Sequence, residues 1–214
     1  MEFSSSIREL LKARVPGIVV VTLEEERVRS ILQAVADERK QPFVIWEIAS
    51  GFRSTSPNHG LVVKGEDPLE AIKALEAIEK PPLVLLQDFH ENWHHPVIKR
   101  RLRSLVQRLK YTSGSLVFTV PEASVPLELS NSLVVTELDL PDVTELDRVL
   151  RMLENAPGLN LKTTKEERNR LLQAALGLTS EQALRVFAKS IVNDGKLDVD
   201  DLDVIAEEKR AIIG

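Results

Sequence analysis

The sequence predicts an α/β fold in which a parallel sheet is covered by helices and is followed by a small helical domain. Over residues 1–140, short apolar runs of strand length alternate with segments whose apolar residues recur at helical spacing. This alternation is typical of a parallel sheet with right-handed crossovers. Over residues 141–214 the apolar residues recur only at helical spacing. We therefore expect two domains, 1–140 and 141–214.

The composition is that of an ordinary globular chain. Its 214 residues are 43% hydrophobic and 29% charged, which suits one medium-sized and one small domain. The sequence contains no cysteine, which excludes a disulfide framework and a thiolate metal site. No run approaches the ~20 apolar residues of a membrane span. We expect a cytosolic or stromal protein without a membrane partner, and the net charge of −5 offers no general attraction to nucleic acid.

A helix, a strand and a second helix open the predicted sheet domain. The serines at positions 4–6 can cap a helix that runs to Arg14 and is ended by Val15-Pro16-Gly17. Residues 18–22 form a continuous apolar run, which is typical of a strand covered on both faces. The helix that follows is marked by apolar residues at helical spacing, namely Val28, Ile31, Leu32 and Val35.

Two further strands enclose a polar loop and a helix. Residues 42–48 read as the second strand, and residues 51–60, rich in Gly, Ser, Pro and Asn, read as a loop of the kind that carries binding function. Asp67-Pro68 opens the next helix, because proline suits the first helical position. Residues 82–86 form the third strand, which leads to the carboxylate of Asp88.

The remaining elements complete the sheet and build the helical domain. A helix over residues 96–110 precedes strands over residues 115–120 and 133–138. The second domain is predicted to contain four helices. The first has apolar residues at helical spacing from Leu146 to Leu153, and the second has them from Leu171 and is ended by Gly177. The third is capped by Thr179 and runs through Val192, and the fourth is capped by Asp200 and runs through Ile213.

Three glutamates, Glu24, Glu25 and Glu26, stand where a nucleotide-binding α/β domain carries its phosphate loop. Such a loop needs glycines whose backbone N–H groups converge on the anion, and a lysine that reaches the phosphates. The helix dipole favours glutamates in a first turn, but their charge repels a triphosphate. We expect no catalytic, cofactor-binding or metal-ligating residue in this chain.

A sheet domain followed by a helical domain resembles the AAA-type ATPases, and Leu85-Leu86-Gln-Asp88 resembles their strand and magnesium-binding aspartate. More specifically, the chain resembles the N-terminal region of the cyanobacterial and plastid AAA-type ATPases first catalogued as a conserved hypothetical chloroplast reading frame. The residues that carry this resemblance are Glu24-Glu-Glu-Arg27, Asp67-Pro-Leu-Glu-Ala71, Asp88-Phe-His90, Arg101-Leu-Arg103, Ala175-Leu-Gly-Leu-Thr179, Asp194-Gly-Lys-Leu197 and Glu208-Lys209.

The resemblance implies a degenerate AAA-like or RecA-like sheet domain without a phosphate loop, followed by a lid-like helical domain. It further implies a non-catalytic regulatory or partner-binding role, with ATP and magnesium belonging to a cassette that follows this region in the family. The expected partners are that cassette, other proteins and, in the full-length protein, further copies of the chain. The expected compartment is the cyanobacterial cytoplasm or the chloroplast stroma, and the link to photosynthesis rests on the family alone.

Hydrolysis of ATP by this chain alone is not expected, because the residues that perform it in such folds are absent. Phe89 follows Asp88 at the position of the catalytic glutamate. The stretch that corresponds to the sensor reads Thr119-Val120-Pro121, and no arginine lies between Arg108 and Arg148.

The pentapeptide His90-Glu91-Asn92-Trp93-His94 is a literal zinc-hydrolase motif, and it supports an alternative function. The chemistry requires a helix that brings both imidazoles to one face. Here the motif follows a strand directly, and His95-Pro96 disfavours a regular helix through His94. His59 or a carboxylate would have to supply the third ligand.

Six basic residues and no acid lie between Pro96 and Pro121. A solvated helix face is one interpretation. A docking surface for an acidic protein, an anion or RNA is the other, and the second alternative function is therefore a standalone adaptor that binds protein or nucleic acid through residues 99–110. Aromatic interleaving is missing, so nucleic acid is the less favoured partner. The candidate partner-binding residues are Arg53, His59, Trp93, Lys99, Arg100 and Arg103.

Overall fold

The computed structural model describes residues 3–54, 64–156, 163–194 and 197–213. The chain divides into two compact units, Met1–Leu138 and Asp139–Gly214. The division lies close to Leu140, where the sequence changes from alternating to purely helical periodicity. Among the helices of the described residues, none is both long enough and apolar enough to cross a bilayer.

The first unit is built around a six-stranded sheet. Its strands are β1 (Gly17–Val21), β2 (Phe43–Glu47), β3 (Gly51–Ser54), β4 (Leu83–Leu86), β5 (Ser115–Val120) and β6 (Val134–Glu137). Its helices are α1 (Phe3–Lys12), α2 (Glu25–Arg39), α3 (Pro68–Ala77), α4 (Pro96–Leu109) and α5 (Leu127–Ser130), with a 3-10 turn at Phe89–Glu91.

The strand order is β3-β2-β4-β5-β1-β6. Five of these strands pair in parallel, as the sequence predicts, and the α/β class is confirmed. The edge strand β3 instead pairs antiparallel with β2 and makes the sheet mixed. The prediction that residues 51–60 form a loop is therefore wrong for Gly51–Ser54, whereas residues 55–60 lie outside the described residues. Gly51 permits the tight connection because it adopts a φ of 65°, which side chains disfavour.

Two apolar cores lie on the two faces of the sheet. Successive side chains of a strand point to opposite faces, so Val19 of β1 belongs to one core while Ile18 and Val20 belong to the other. Helices α3 and α4 cover the first face with residues such as Leu75 and Leu105, and α1 and α2 cover the second. The continuous apolar run of β1 follows from this double coverage.

Local contacts fix the ends of α3 and its position beside α4. The carboxylate of Asp67 accepts hydrogen bonds from the N–H groups of Leu69 and Glu70, and Pro68 occupies the first helical position. At the other end, the guanidinium of Arg108 on α4 donates to the carbonyl of Leu75 at 2.8 Å and to the next carbonyl at 2.5 Å. A basic side chain of α4 therefore donates to two carbonyls at the end of α3, of which that of Leu75 also accepts from the N–H of Ile78 at 3.4 Å.

The second unit is helical. It contains α6 (Val143–Glu154), α7 (Lys165–Ala175), α8 (Ser180–Asp194) and α9 (Leu202–Ile213), with a 3-10 turn at Val199–Asp201. Capping boxes start α6 and α7, in which Asp142 and Thr164 bond reciprocally with the glutamate three residues later. The core of this unit includes Leu150, Leu172 and Phe187.

An ion cluster joins α6 to α7. The guanidinium of Arg168, 18% exposed, donates to Asp147 at 2.5 Å and also to Glu154. Burial opposes ionisation of Asp147, but hydrogen bonds from Arg168 and Arg151 outweigh it and hold the pKa of the carboxyl below its usual value. The cluster is therefore a charge-dependent contact between the two helices.

Candidate functional site

The candidate site lies at the carboxyl ends of the central strands β1, β4 and β5, where parallel sheets bind their ligands. A cleft of about 310 Å³ opens at this edge. It is lined by Thr22, Leu23, Glu25, Asp88, His90, Glu91, Thr119 and Pro121.

The turn from β1 to α2 takes the place of a phosphate loop. Thr22 extends the pairing with β5 by donating its N–H to the carbonyl of Val120 at 2.8 Å, and its hydroxyl accepts from the N–H of Glu24. Glu24 occupies the N-cap position of α2, is 8% exposed and accepts from the guanidinium of Arg27 at 2.7 Å. Its carboxylate is therefore committed to an ion pair within the same turn of helix.

The next residue, Glu25, bridges three elements. One carboxylate oxygen accepts from the amide nitrogen of Gln87 at 2.9 Å, and the other accepts from the hydroxyl of Thr119. Gln87 follows β4 and is 6% exposed, while Thr119 lies in β5 and is 1% exposed. We call this arrangement the Glu25 bridge. It places the protein's own anion at the helix N-terminus that would otherwise attract a phosphate.

The third glutamate of the series faces solvent. Glu26 is 67% exposed and pairs with Arg29 on the surface of α2. The three adjacent glutamates thus serve different purposes, and among them only Glu25 lines the cleft.

Asp88 lies at the mouth of the cleft in a left-handed conformation, with a φ of 55°. It is the N-cap residue of the 3-10 turn, although its side chain makes no capping hydrogen bond. The following residue, Phe89, is fully buried, and its ring centroid lies 5.3 Å from that of Trp46 and 6.0 Å from that of Phe118. The residue after Asp88, where the resemblance to AAA-type ATPases predicts the position of a catalytic glutamate, is therefore a core aromatic.

The literal zinc motif does not adopt the geometry that zinc hydrolysis requires. His90 and Glu91 lie in the 3-10 turn, the next three residues form a turn, and α4 begins only at Pro96. The imidazole of His90 lies 3.4 Å from the carboxylate of Glu91, and His94 is exposed. Within the described parts of the chain, no three His, Asp or Glu side chains lie close enough together to hold a metal. His59, the suggested third ligand, lies outside the described residues.

The candidate partner-binding residues have different environments. Trp93 is 1% exposed and packs 5.7 Å from Phe118, so its assignment to a binding surface is corrected: its side chain belongs to the core. Arg53 pairs with Glu47 on the neighbouring strand. His59 is again outside the described residues.

The basic residues of α4 are also divided between internal and exposed roles. Lys99 pairs with Glu128 of α5 at 2.5 Å, and Arg101 pairs with Glu76 of α3 at the same distance. Arg100 and Arg103 are exposed, and neither guanidinium forms an ion pair among the described residues. Of the three candidate partner-binding residues on α4, namely Lys99, Arg100 and Arg103, the two arginines are therefore the ones that remain available to an external partner.

Two comparisons with protein families match nearly the whole chain. Residues 3–138 match the SpoVK-like AAA ATPase N-terminal domain, and residues 144–214 match the second domain of the same group. The chain belongs to the SpoVK-like AAA ATPase family. The prediction of an AAA-type N-terminal region is confirmed by these matches.

Curated relatives of this SpoVK-like chain carry the same two regions within longer proteins. The uncharacterized AAA domain-containing protein ycf46 of Guillardia theta is 30% identical over 216 residues, which cover all of this chain and 42% of the relative. The protein of the same name from Pyropia yezoensis is also 30% identical, and the chain covers 43% of its length. The chain thus spans less than half of these relatives.

Solved structures share the fold of this SpoVK-like chain at low sequence identity. The structure of C. elegans PCH-2 is 12% identical with a TM-score of 0.57, over 99% of this chain and 67% of that one. The E. coli MS115-1 HORMA:CdnC:Trip13 complex contains a chain that is 13% identical with a TM-score of 0.51, over 95% of this chain and 76% of that one. The predicted order of an AAA-like sheet domain and a helical domain is confirmed by this likeness of fold.

Proposed function

We propose that this chain is a non-catalytic, partner-binding region of an AAA-type ATPase, and that ATP and magnesium bind to a separate cassette of the longer protein. The Glu25 bridge is the observation that carries the proposal. The length of the curated relatives supports it, because more than half of each relative lies outside the region matched here.

The N-terminus of α2 is unsuited to a triphosphate both in its charge and in its hydrogen-bond donors. Two unit charges of the same sign 4 Å apart repel by about 1 kcal/mol in water and about 4 kcal/mol near a protein surface. A triphosphate carries several such charges, and the turn from β1 to α2 contains neither lysine nor glycine to compensate. To make room, Glu25 would have to leave the buried donors of Gln87 and Thr119.

Isothermal titration calorimetry with Mg-ATP tests this part of the proposal. We expect no saturable binding by the 214-residue chain or by Glu25→Gln, because removing the charge does not create a phosphate loop. One-to-one binding that is abolished by Leu23→Glu, a change at a cleft residue that is 77% exposed, would refute the proposal. Lys73→Glu, on the exposed face of α3, is the control for a change of charge far from the cleft.

The partner-binding part of the proposal concerns the exposed arginines of α4. Arg100 and Arg103 present two exposed positive charges on a helix face, and this favours an acidic protein surface as the partner. Binding of poly-L-glutamate to the chain is expected to weaken with salt and with Arg100→Gln/Arg103→Gln. If a single-stranded RNA binds through these arginines and poly-L-glutamate does not, the nucleic-acid adaptor becomes the correct function.

The compartment is also part of the proposal. The relatives include ycf46 proteins of Guillardia theta, Pyropia yezoensis and Trieres chinensis. They support a location in the chloroplast stroma or in the cytoplasm of a cyanobacterium, where a role in photosynthetic physiology would be exerted. Immunogold labelling of intact cells is expected to place the protein in one of these compartments, and labelling confined to another compartment would contradict the assignment.

A further inference from the structure

Helix α4 contacts two shorter helices of the first unit and shares an ion pair with each. Arg101 pairs with Glu76 of α3, and Lys99 pairs with Glu128 of α5. Residues two apart on an α-helix point to nearly opposite sides of it, so the two ion pairs lie on the two flanks of α4. The basic residues of these flanks are therefore neutralised within the chain.

Arg100 and Arg103 lie on the outward face between these flanks. Both are exposed, and they are three residues apart, so they share one face of the helix. The opposite face carries core residues such as Leu102 and Leu105. The outward face thus offers two positive charges to another molecule. Exposed charges contribute little affinity and are screened by salt, so the arginines alone discriminate weakly between one acidic partner and another.

An exposed leucine lies next to these arginines. Leu127 begins α5, directly before Glu128, and is 84% exposed. The hydrogen bond from Lys99 is the main reason why the pKa of the Glu128 carboxyl lies below its usual value, and the charge of Arg103 lowers this pKa further. This end of α5 therefore lies within electrostatic reach of Arg103. We call the surface formed by Arg100, Arg103 and Leu127 the α4–α5 surface.

The composition of the α4–α5 surface indicates the composition of its partner. Protein interfaces bury apolar side chains at their centre and place charged groups around them. We propose that the α4–α5 surface binds an acidic segment of another protein in which a large apolar side chain stands among the carboxylates. The carboxylates meet Arg100 and Arg103, and the apolar side chain covers Leu127. The proposal rests on the proposed docking role of α4 and adds the kind of segment that docks there.

The charged and the apolar contacts of such a complex respond differently to salt. Attraction between exposed charges is screened as the salt concentration rises, whereas the burial of apolar surface is not weakened in this way. Covering one exposed leucine with an aliphatic side chain contributes about tenfold in affinity, the low end of the range for burying such a side chain. We therefore expect a preference for an apolar residue that survives the addition of salt.

Fluorescence anisotropy with two labelled peptides and the 214-residue chain tests this proposal. Each peptide has capped ends and consists of six glutamates around one central residue, which is leucine in the first peptide and serine in the second. We expect the leucine peptide to bind about tenfold more tightly than the serine peptide. Both affinities are expected to fall as salt is added, while the ratio between them stays the same.

Three variants assign the contacts. Leu127→Ser is expected to remove the preference for the leucine peptide and to leave the affinity for the serine peptide unchanged. Arg100→Gln/Arg103→Gln is expected to weaken both peptides by the same factor. Val192→Ser is the matched control, because Val192 is an aliphatic residue of the second unit that is 83% exposed, and this variant is expected to keep the full preference.

The outcomes separate this inference from the proposed function. Equal binding of the two peptides through Arg100 and Arg103 would refute the apolar contact and leave the docking role of α4 intact. A preference that persists in Leu127→Ser would also refute this inference, because the apolar contact would then lie elsewhere. Absence of binding by either peptide at low salt would refute both proposals.

A single-stranded RNA of seven nucleotides is the control for a general attraction to polyanions, because its six phosphates carry the same charge as the six glutamates. We expect this RNA to bind no more tightly than the serine peptide. Binding as tight as that of the leucine peptide would show that the surface selects charge alone and would refute the inference. Circular dichroism of each variant shows whether its helices are retained.

Discussion

Replacing Glu25 by alanine tests the Glu25 bridge directly. The change removes the carboxylate that accepts from Gln87 and from the hydroxyl of Thr119. Both donors stay buried, at 6% and 1% exposure, and lose their acceptor. We expect the first unit to be destabilised far more than by a change at the neighbouring exposed glutamate, Glu26.

The expected loss in free energy of unfolding follows from the two donors that lose their acceptor. A buried hydrogen-bonding group that loses its partner costs about 1–3 kcal/mol, so two such groups set a range of about 2–6 kcal/mol. Because the bridge borders an open cleft, water can reach part of the space that the glutamate side chain vacates. We therefore expect the loss in free energy of unfolding to lie near the lower end of this range, at about 3 kcal/mol. Glu26→Ala loses the same helix-dipole interaction, about 0.3–1 kcal/mol, and a surface ion pair of little value.

Urea unfolding followed by tryptophan fluorescence measures the difference in the free energy of unfolding between the two variants, and it does so for the first unit. The sequence contains two tryptophans, and both Trp46 and Trp93 are buried in the core of the first unit. Their emission therefore reports the unfolding of the sheet domain. An unchanged m-value for Glu25→Ala would show that the lower midpoint reflects lost stability.

A stabilising role of the Glu25 bridge would be refuted if Glu25→Ala and Glu26→Ala lowered the free energy of unfolding equally, within about 0.5 kcal/mol. A double-mutant cycle with Thr119→Val provides a second measurement. Since the two side chains share a hydrogen bond, we expect a coupling free energy of about 0.5–3 kcal/mol. Additive effects of the two substitutions would mean that the bridge contributes nothing.

The remaining predictions concern packing, charge and a helix end. Gly65→Ala would place its Cβ 2.8 Å from the backbone nitrogen of Ala71. We expect the free energy of unfolding in the same urea experiment to fall by about 1–3 kcal/mol. An unchanged free energy would show that the loop moves aside. Because the pKa of Asp147 is lowered in the folded chain, its contribution to stability is complete above about pH 4 and lost as the pH falls through the folded value. A carbon NMR titration should find that lowered pKa, and Arg168→Met should raise it; an unchanged pKa in the variant would contradict the ion cluster. Arg108→Met should lower the free energy of unfolding by about 1 kcal/mol, because it removes the donors to the last carbonyls of α3. An unaltered urea midpoint would show that water replaces those donors.

Most of the sheet domain is predictable because its signals are local. The apolar run of β1, the Asp67-Pro68 helix start and the interruption at His95-Pro96 each act over a few residues. The prediction that His95-Pro96 prevents a regular helix through the zinc motif is confirmed for the same reason. Strand β3 escaped prediction because Gly51–Ser54 is short and polar, and it forms by pairing with β2.

The candidate site is less predictable because its contacts are distant in sequence. Glu25 meets Gln87 and Thr119, which lie 62 and 94 residues away, and only the parallel order of the strands brings them together. The burial of Trp93 has a similar cause: the turn after β4 directs the ring onto Phe118, although its sequence neighbours are polar. The position of Gln87 at a strand end was the available signal for the bridge, and it carried no indication of its partner.

The Glu25 bridge makes the stability of the sheet domain independent of a diffusible ligand at this position. A domain whose buried donors are satisfied by a diffusible ligand gains stability only as the concentration of that ligand exceeds its dissociation constant. Here the acceptor is covalently part of the chain, so the donors of Gln87 and Thr119 are satisfied whether or not a diffusible ligand is present. We therefore expect the melting temperature of this region to be independent of the concentration of ATP.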